Sequence, residues 1–408
     1  MKNRKNFTDK MWTIGKNKYD LSEFSEHHPG GEIIIKRTKG LDVTTLFETY
    51  HAFADKSSIE RILEKYKVDN VEEAEMYDFT RYREILELVR TSFSLNNENI
   101  KSNSSYYWNL LRISLCYIFC YYSSVYSSWN FYIRCLLSFL GGFFAVSLSF
   151  NIMHDASHYS MSGGYKVNEL VSKIWNAIML WNSKIWFYHH VLFHHSHTGN
   201  EELDPDTYHL MPFFSKNANK KVKMFNISED NVFFLFVFFP GFYVGQILSY
   251  LKGYFTKRLW KMKLPEGEYY STLEIYCISL SIFNFGNAGF ILTFIFLISA
   301  NLFYFINIFP NHDTLEIYNS EKTNDWAVMQ ITQSGNFMTR HPLWSLMFGG
   351  INHQIEHHLF PNVSSIHLPK ISRIVKKYCL ENNIPYHEVH SIYDAFSSFV
   401  LKLKKVNN

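Results

Sequence analysis

Polar and apolar positions divide the chain into unequal parts. Residues 9–80 carry charged and polar side chains at short intervals, and 96–104 (NNENIKSNS) is almost entirely polar. The apolar remainder begins at Tyr106. Because a change of composition of this kind marks a domain boundary, the pattern predicts an N-terminal domain over 1–85, a linker over 86–105, a larger domain over 106–390 and a C-terminal tail over 391–408.

Long apolar runs predict membrane spans in the larger domain. The runs are 106–128, 131–153, 270–287 and 289–310. Each is close to the roughly 20 residues with which a helix crosses a bilayer. The region is therefore predicted to be all-α, with about four transmembrane helices.

A fifth apolar run, 231–251, is predicted to re-enter the membrane or to lie on it. Lysines and arginines flank both of its ends, and the positive-inside tendency keeps both flanks in the cytosol. Pro240 and Gly241 allow a bend in the middle of the run. With this arrangement every histidine-rich segment is expected on the cytosolic face, where the segments form a cap.

Composition and charge exclude some functions. The net charge is +3, and no groove of basic residues with interleaved aromatics is present, which argues against a nucleic-acid partner. The N-terminus lacks the apolar stretch of a secretory signal. The N-terminal domain is therefore expected in the cytosol.

The N-terminal domain contains two histidines in a pattern that suits electron transfer. His28 leads into the tight turn Pro29-Gly30-Gly31, and His51 follows 23 residues later. Two imidazoles on one iron leave no open position for oxygen. Residues 9–80 resemble cytochrome b5, an α+β domain. The resemblance implies haem b with His28 and His51 as axial ligands, and it makes His27 the weaker candidate because the family's ligand directly precedes Pro-Gly-Gly.

Further histidines stand in groups at or beyond the ends of the apolar runs. His154 and His158 are four residues apart, which puts both imidazoles on one helix face. Imidazole sites without thiolates suit iron, copper or zinc, but eight grouped histidines exceed what one metal ion uses and match two irons. The grouped residues, with the amide that accompanies the last group, are His154, His158, His190, His194, His195, His312, Gln354, His357 and His358.

These groups resemble the histidine boxes of front-end membrane fatty acid desaturases, over about 106–390. The landmarks Asp204-Pro205-Asp206 and Asp325-Trp326 and the segment QIEHHLFP at 354–361 support the resemblance. It implies that the eight histidines bind two iron ions, and that Gln354 stands where other desaturases have a histidine. His353 is one helical turn from His357, so the sequence also allows His353 to complete this box.

One spacing departs from the pattern of many members. Three residues separate His190 from His194, where two are common. Histidines at i, i+4 and i+5 reach one site only if the helix has a local bulge or turn. The second box is therefore predicted to be irregular.

The resemblance implies a front-end desaturase that introduces a cis double bond of Δ5, Δ4 or Δ6 type into a polyunsaturated acyl chain. Its substrates are an acyl-CoA or acyl-lipid and O2, and its electrons come from the fused haem domain. A separate NAD(P)H-dependent cytochrome b5 reductase is expected, because the chain has no Gly-rich dinucleotide fingerprint. The expected location is the endoplasmic reticulum membrane, among its lipids.

Two alternatives remain at this stage. A sphingolipid long-chain-base Δ8 desaturase shares the haem fusion and the Gln-x-x-His-His box. A haem-bearing membrane electron-transfer protein, which belongs to a different class, explains residues 1–85 only. Iron content distinguishes the two classes, since a desaturase holds three irons per chain and a carrier holds one.

Overall fold

The computed structural model describes residues 11–70, 77–208, 227–238, 241–259, 262–264 and 269–407. Its N-terminal part combines a small antiparallel sheet, of strand order β1-β2-β3, with three helices. The elements are β1 (Trp12–Ile14), β2 (Asn17–Tyr19), α1 (Glu32–Arg37), α2 (Thr44–Tyr50), α3 (Lys56–Tyr66) and β3 (Lys67–Asn70). The predicted α+β architecture is confirmed.

Local chemistry explains why these elements form. Gly15 has a φ of +59° in the turn between β1 and β2, a conformation that glycine adopts without steric cost. The side chain of Asp55 accepts hydrogen bonds from the amides of Ser57 and Ser58 and so caps α3. Trp12 is 1% exposed, and its indole N–H donates to the carbonyl of Ile35 at 3.0 Å, which joins the sheet to α1.

In the rest of the described chain, the regular elements are helices and two pairs of two-residue strands. The helices are α4 (Thr80–Leu95), α5 (Ser104–Tyr126), α6 (Phe131–Leu148), α7 (Asp155–Ser157), α8 (Tyr165–Ile178), α9 (Ser183–Trp186), α10 (Glu229–Phe238), α11 (Gly241–Thr256), α12 (Thr272–Ala288), α13 (Phe290–His312), α14 (Leu315–Tyr318), α15 (Trp326–Thr332), α16 (Pro342–Met347), α17 (Gln354–Leu359), α18 (Leu368–Glu381) and α19 (Ile392–Asn407). The strands are β4 (Arg258–Leu259), β5 (Met262–Lys263), β6 (Asn336–Phe337) and β7 (Glu388–Val389).

Helices occupy all four predicted spans, but only part of the membrane prediction is confirmed. Among the described residues, two helical stretches are long and apolar enough to cross a membrane, Phe131–Ser157 and Phe290–Tyr318. The other two predicted spans are α5, with 23 residues, and α12, with 17. A total of four spans therefore stays a prediction.

The two long apolar stretches pack closely against each other. A Cβ added at Gly142 of α6 would lie 2.3 Å from the carbonyl oxygen of Phe296 in α13. Only a glycine allows this approach of two helices, a common device in membrane helix pairs. Large apolar side chains on the outer faces of α5 and α12, among them Phe119 and Phe283, are exposed. Such faces suit contact with lipid.

Helices cover the described residues of the apolar run 231–251. α10 ends at Phe238 and α11 begins at Gly241. Pro240, at which we expected a bend, lies outside the described residues. Whether this region re-enters the membrane stays a prediction.

Two segments predicted as connections are packed helices. Residues 86–95 of the predicted linker belong to α4, where Val89 and Phe93 are buried in a core that also contains Trp326. Residues 392–407 of the predicted tail form α19, whose Phe399 is fully buried against α10 and α13. The outer limits of the domains remain a prediction.

Candidate metal centre

The two histidines predicted to bind haem lie next to each other. His28 follows a short 3₁₀ turn (Phe24–His27), and His51 follows α2. Their ring centroids are 6.0 Å apart, close enough for both rings to bind one metal ion. His27 is exposed.

Backbone carbonyls orient both rings. The Nδ1 atom of His28 lies 3.3 Å from the carbonyl oxygen of Gly31, and that of His51 lies 2.9 Å from the carbonyl oxygen of Phe47. Nδ1–H donation to these carbonyls leaves each Nε2 with its lone pair for iron. Burial lowers the pKa of both imidazoles, which favours this neutral form. The residues present therefore fit a bis-histidine haem.

The grouped histidines from the larger domain converge into one cluster. Ligand nitrogens of the first group all lie within 4.8 Å of one another, and so do those of the second. His195 lies between the groups, since its ring centroid is 4.6 Å from that of His158 and 4.3 Å from that of His358. The first group is His154, His158, His190 and His357, and the second is His194, His312 and His358.

Irregular helices bring the first two boxes to the cluster. Ser149–His154 and Phe187–His194 are π-helical segments, so the bulge predicted for the second box is present. A π-helical turn shifts the directions of the side chains that follow it, and such turns are frequent at functional sites. The third box is on α17, and His312 is the last residue of α13.

Several buried ligand atoms in the cluster have no hydrogen-bond partner among the described residues. Buried polar atoms nearly always have one, so each of these atoms calls for an explanation. The atoms are Nδ1 and Nε2 of His154, Nε2 of His158, Nε2 of His190, Nδ1 of His195, Nε2 of His358 and Oε1 of Gln354. Metal ions would satisfy one nitrogen of each of these rings. The two histidine groups agree with the two irons expected from the sequence.

Burial also determines the charge of the cluster. Loss of hydration, reinforced by the neighbouring imidazoles, lowers the pKa well below the usual histidine range. The affected side chains are His158, His190, His195, His357 and His358. They are therefore neutral near pH 7, which is the form that binds metal.

Atoms outside the histidine boxes hold three of the ligand rings. Nδ1 of His194 lies 3.0 Å from a carboxylate oxygen of Asp204, and Nδ1 of His358 lies 2.8 Å from the amide oxygen of Gln330. Nδ1 of His312 lies 2.8 Å from the backbone oxygen of Gln333. Sequence reasoning noted Asp204 only as a landmark and missed the two glutamines, because nothing in their local sequence indicates such a contact.

The structure brings Gln354, and not its neighbour, against a predicted ligand. The amide nitrogen of Gln354 lies 3.0 Å from Nε2 of His312. His353 directly precedes the first residue of α17. Neither of its buried ring nitrogens has a hydrogen-bond partner among the described residues. Its ring is also outside both histidine groups. The ligand role of Gln354 stays a prediction.

His189 is buried beside the second box but is held by protein atoms. Its Nε2 lies 2.8 Å from a carboxylate oxygen of Asp206. Its Nδ1 lies 3.2 Å from the amide nitrogen of Gln246 and 2.9 Å from the hydroxyl of Tyr250. His189 is also outside both histidine groups, which agrees with leaving it out of the predicted ligands.

A cavity of about 650 Å³ opens beside the second histidine group. Thr198, His312 and Gln333 line its inner side. Asp42 and Thr44 of the N-terminal part contribute to its wall, so the cavity lies between the two parts of the chain. Polar side chains among the lining residues, such as Thr198 and Gln333, suit the polar end of a ligand.

Comparison with known families identifies both parts of the chain. The model of the fatty acid desaturase family matches residues 127–390. The model of the cytochrome b5-like heme/steroid binding domain matches residues 2–72.

Curated relatives match nearly the whole chain. Probable Delta(5) fatty acid desaturase C of Dictyostelium discoideum is 26% identical, over 96% of this chain and 90% of its own length. An acyl-lipid (8-3)-desaturase of Mortierella alpina is 25% identical, over 95% and 91%. Delta(8)-fatty-acid desaturase 2 of Arabidopsis thaliana is 24% identical, over 91% and 84%.

Proposed function

The chain belongs to the fatty acid desaturase family, and from this premise we propose that it is a front-end desaturase of long polyunsaturated acyl chains. The observation that carries the proposal is the buried cluster of neutral histidines with unpartnered nitrogens, next to a paired-histidine domain in the same chain. Among Δ5, Δ4 and Δ6, we favour Δ5 because relatives over the full length carry the name Delta(5) desaturase.

The metals account for the chemistry. Two bound iron ions would supply the oxidant that takes two hydrogens from unactivated methylenes with O2, a step that no side chain can perform. The eight histidines would hold the irons, with Gln354 contacting His312. His28 and His51 would hold the haem through which electrons arrive one at a time. An NAD(P)H-dependent cytochrome b5 reductase would reduce that haem.

The cavity beside His312 suits the polar end of the substrate. In a front-end reaction the new double bond forms only a few bonds from the carboxyl group, so the polar end must lie close to the metals. Thr198 and Gln333 line the cavity there. The acyl-lipid names of several relatives favour a lipid-linked acyl chain over an acyl-CoA. The protein would act in the endoplasmic reticulum membrane, with the haem domain and the histidines on the cytosolic side.

The test is expression in yeast with a panel of polyunsaturated acids, followed by location of new double bonds by mass spectrometry. A new bond between the existing unsaturation and the carboxyl end supports the proposal. New unsaturation confined to sphingoid bases would instead identify a long-chain-base Δ8 desaturase. Three irons per chain without any product from the panel would contradict the proposed substrate class.

The electron route is tested in a host that lacks free cytochrome b5. His28→Ala and His51→Ala are expected to abolish product while the non-haem iron stays bound. His27→Ala is the matched control, because His27 is exposed and next to the ligand. Unchanged desaturation in the two ligand variants would contradict this route.

A further inference from the structure

Helix α2 of the haem domain lies directly on the histidine cluster. The hydroxyl of Thr45 donates to the hydroxyl of Ser196, next to His195, at 2.6 Å. At the other end of α2, the carbonyl of Tyr50 accepts a hydrogen bond from the amide of Asn362 at 3.0 Å. α2 ends at Tyr50, so the next residue in the chain is the haem ligand His51.

The side chain of Tyr50 reaches one of the proposed iron ligands. Its hydroxyl oxygen lies 2.9 Å from Nδ1 of His158. Nε2 of the same ring is buried and has no hydrogen-bond partner among the described residues. When Nε2 carries the lone pair for a metal, Nδ1 carries the proton and donates it to the oxygen of Tyr50.

The haem domain is held in this position by a buried ion pair. The two terminal guanidinium nitrogens of Arg37 donate to the carboxylate of Glu169 in α8, at 3.0 and 3.1 Å. The two side chains are 12% and 9% exposed. Bidentate pairs of this kind fix orientation as well as distance. The hydroxyl of Tyr159, the residue after His158, donates to the same carboxylate.

We propose that Tyr50 is a positioning residue that joins the haem ligand to the iron centre. It holds the ring of His158 in the tautomer and orientation that expose Nε2. Through the backbone and the side chain of Tyr50, a continuous path also runs from His51 to His158. This path is covalent except for the hydrogen bond between Tyr50 and His158. This inference rests on the proposed function, since it assumes that both metals are bound.

The link favours electron transfer because electronic coupling is stronger through bonds and hydrogen bonds than through space. Bound haem would supply one electron per transfer, going from ferrous to ferric, and a non-haem iron held by the histidines would accept it, going from ferric to ferrous. The hydrogen bond between His158 and Tyr50 stays intact, so no proton leaves the tyrosine. The electron originates from the reductase, or from dithionite in a test.

Tyr50→Phe removes the hydroxyl oxygen and keeps the ring. The purified full-length holoprotein is reduced with dithionite and mixed with oxygenated buffer and substrate, and haem oxidation is followed by its absorbance. We expect haem oxidation to slow by roughly 10–100-fold, the usual effect of losing a partner that orients a metal ligand. The haem spectrum should be unchanged, and iron per chain is measured in parallel.

Thr45→Val is the matched control. It removes a hydroxyl of the same helix at the same interface, but that hydroxyl contacts Ser196 and no histidine. Equal slowing in both variants would mean that docking alone matters, and would overturn the role of Tyr50. So would an unchanged rate of haem oxidation and unchanged iron content in Tyr50→Phe.

If the Tyr50→Phe protein fails to bind haem, the variant Tyr50→Met is measured in its place. The same results then support or overturn the role of Tyr50. Failure of the proposed function is recognised separately. In that case the unmodified protein itself lacks non-haem iron or makes no desaturated product.

Discussion

Three of the predicted ligand histidines, His194, His312 and His358, are oriented by atoms outside the histidine boxes. Nδ1 of His194 contacts Asp204, and Nδ1 of His358 contacts Gln330. Partners of this kind orient the ring and make the other nitrogen a better donor. Single residues outside the histidine boxes are therefore expected to control metal binding.

Gln354 and His353 provide a direct test at this scale. Gln354→Ala removes the contact with His312 and is expected to lower iron content or desaturation by roughly 10–100-fold. His353→Ala should be mild, because that ring is outside both histidine groups. Gln354→His should keep some activity, since an imidazole can point in the same direction. Product yield at matched protein level and non-haem iron are measured.

The opposite effects of the two alanine variants would assign the place in the third box to His353 instead of Gln354. If His353→Ala removes iron and Gln354→Ala does not, then His353 completes the third box.

At the scale of elements, the termini of helices position the metal ligands. His312 ends α13, and the chain beyond it is held by α19. Nζ of Lys402 in α19 donates to Asp313 at 2.8 Å and to the carbonyl of His312 at 3.3 Å. The Lys402 and Asp313 side chains are 7% and 4% exposed. α19 therefore has a structural role at the metal centre.

We predict that Lys402→Met destabilises the protein by about 3–5 kcal/mol, because it removes the cation from the buried ion pair between Lys402 and Asp313. Iron per chain should fall as well, since His312 loses a restraint on its backbone. The thermal unfolding midpoint and iron content are measured. Lys405→Met is the control, because Lys405 is exposed and contacts Asn319.

A double variant separates charge from packing. Lys402→Met combined with Asp313→Asn should recover part of the lost stability, because both charges of the buried ion pair are then removed together. No recovery would show that the ion pair is not what Lys402 contributes.

For the whole molecule, the main feature is the docking of the haem domain on the desaturase domain. A buried ion pair between Arg37 and Glu169 spans the interface, while Gly31, with a φ of +96°, lies against the ring of Tyr165. A Cβ at Gly31 would lie 2.4 Å from that ring. This close contact describes a docked domain and not a tethered one.

Arg37→Met is predicted to loosen the docked domain and to destabilise the protein by up to about 3–5 kcal/mol, since Glu169 then stays buried without its cation. Haem oxidation should slow, because Tyr50 is no longer held against His158. Lys36→Met is the control, because its pair with Glu32 is exposed and exposed pairs contribute little to stability. Equal effects of the two changes on the unfolding midpoint would contradict the importance of the buried pair.

The orientation in the membrane is a second prediction for the whole molecule. α12 ends at Ala288 and α13 begins at Phe290, so the turn at 286–289 should face the lumen. A glycosylation acceptor inserted there is expected to be modified, and one inserted near Lys257 is not. The reverse pattern would mean that the run 231–251 crosses the bilayer.

The sequence alone determined the family of this protein. The spacing of His28 from His51 and the grouped histidines indicated the family, which the family models confirm, and they predicted the haem and the two irons, because ligand type and spacing are local properties of the chain. The apolar runs predicted the helices for the same reason. The irregular second box was also predictable, since its three-residue spacing does not fit a regular α-helix.

Only the tertiary structure decided which atoms orient those ligands. Tyr50 and His158 are 108 residues apart, and Arg37 and Glu169 are 132 apart. The packing of α4 and α19 was likewise hidden, because an amphipathic or polar segment does not specify the surface that covers it. Such contacts depend on how separate elements pack in three dimensions, and no local pattern in the sequence records that.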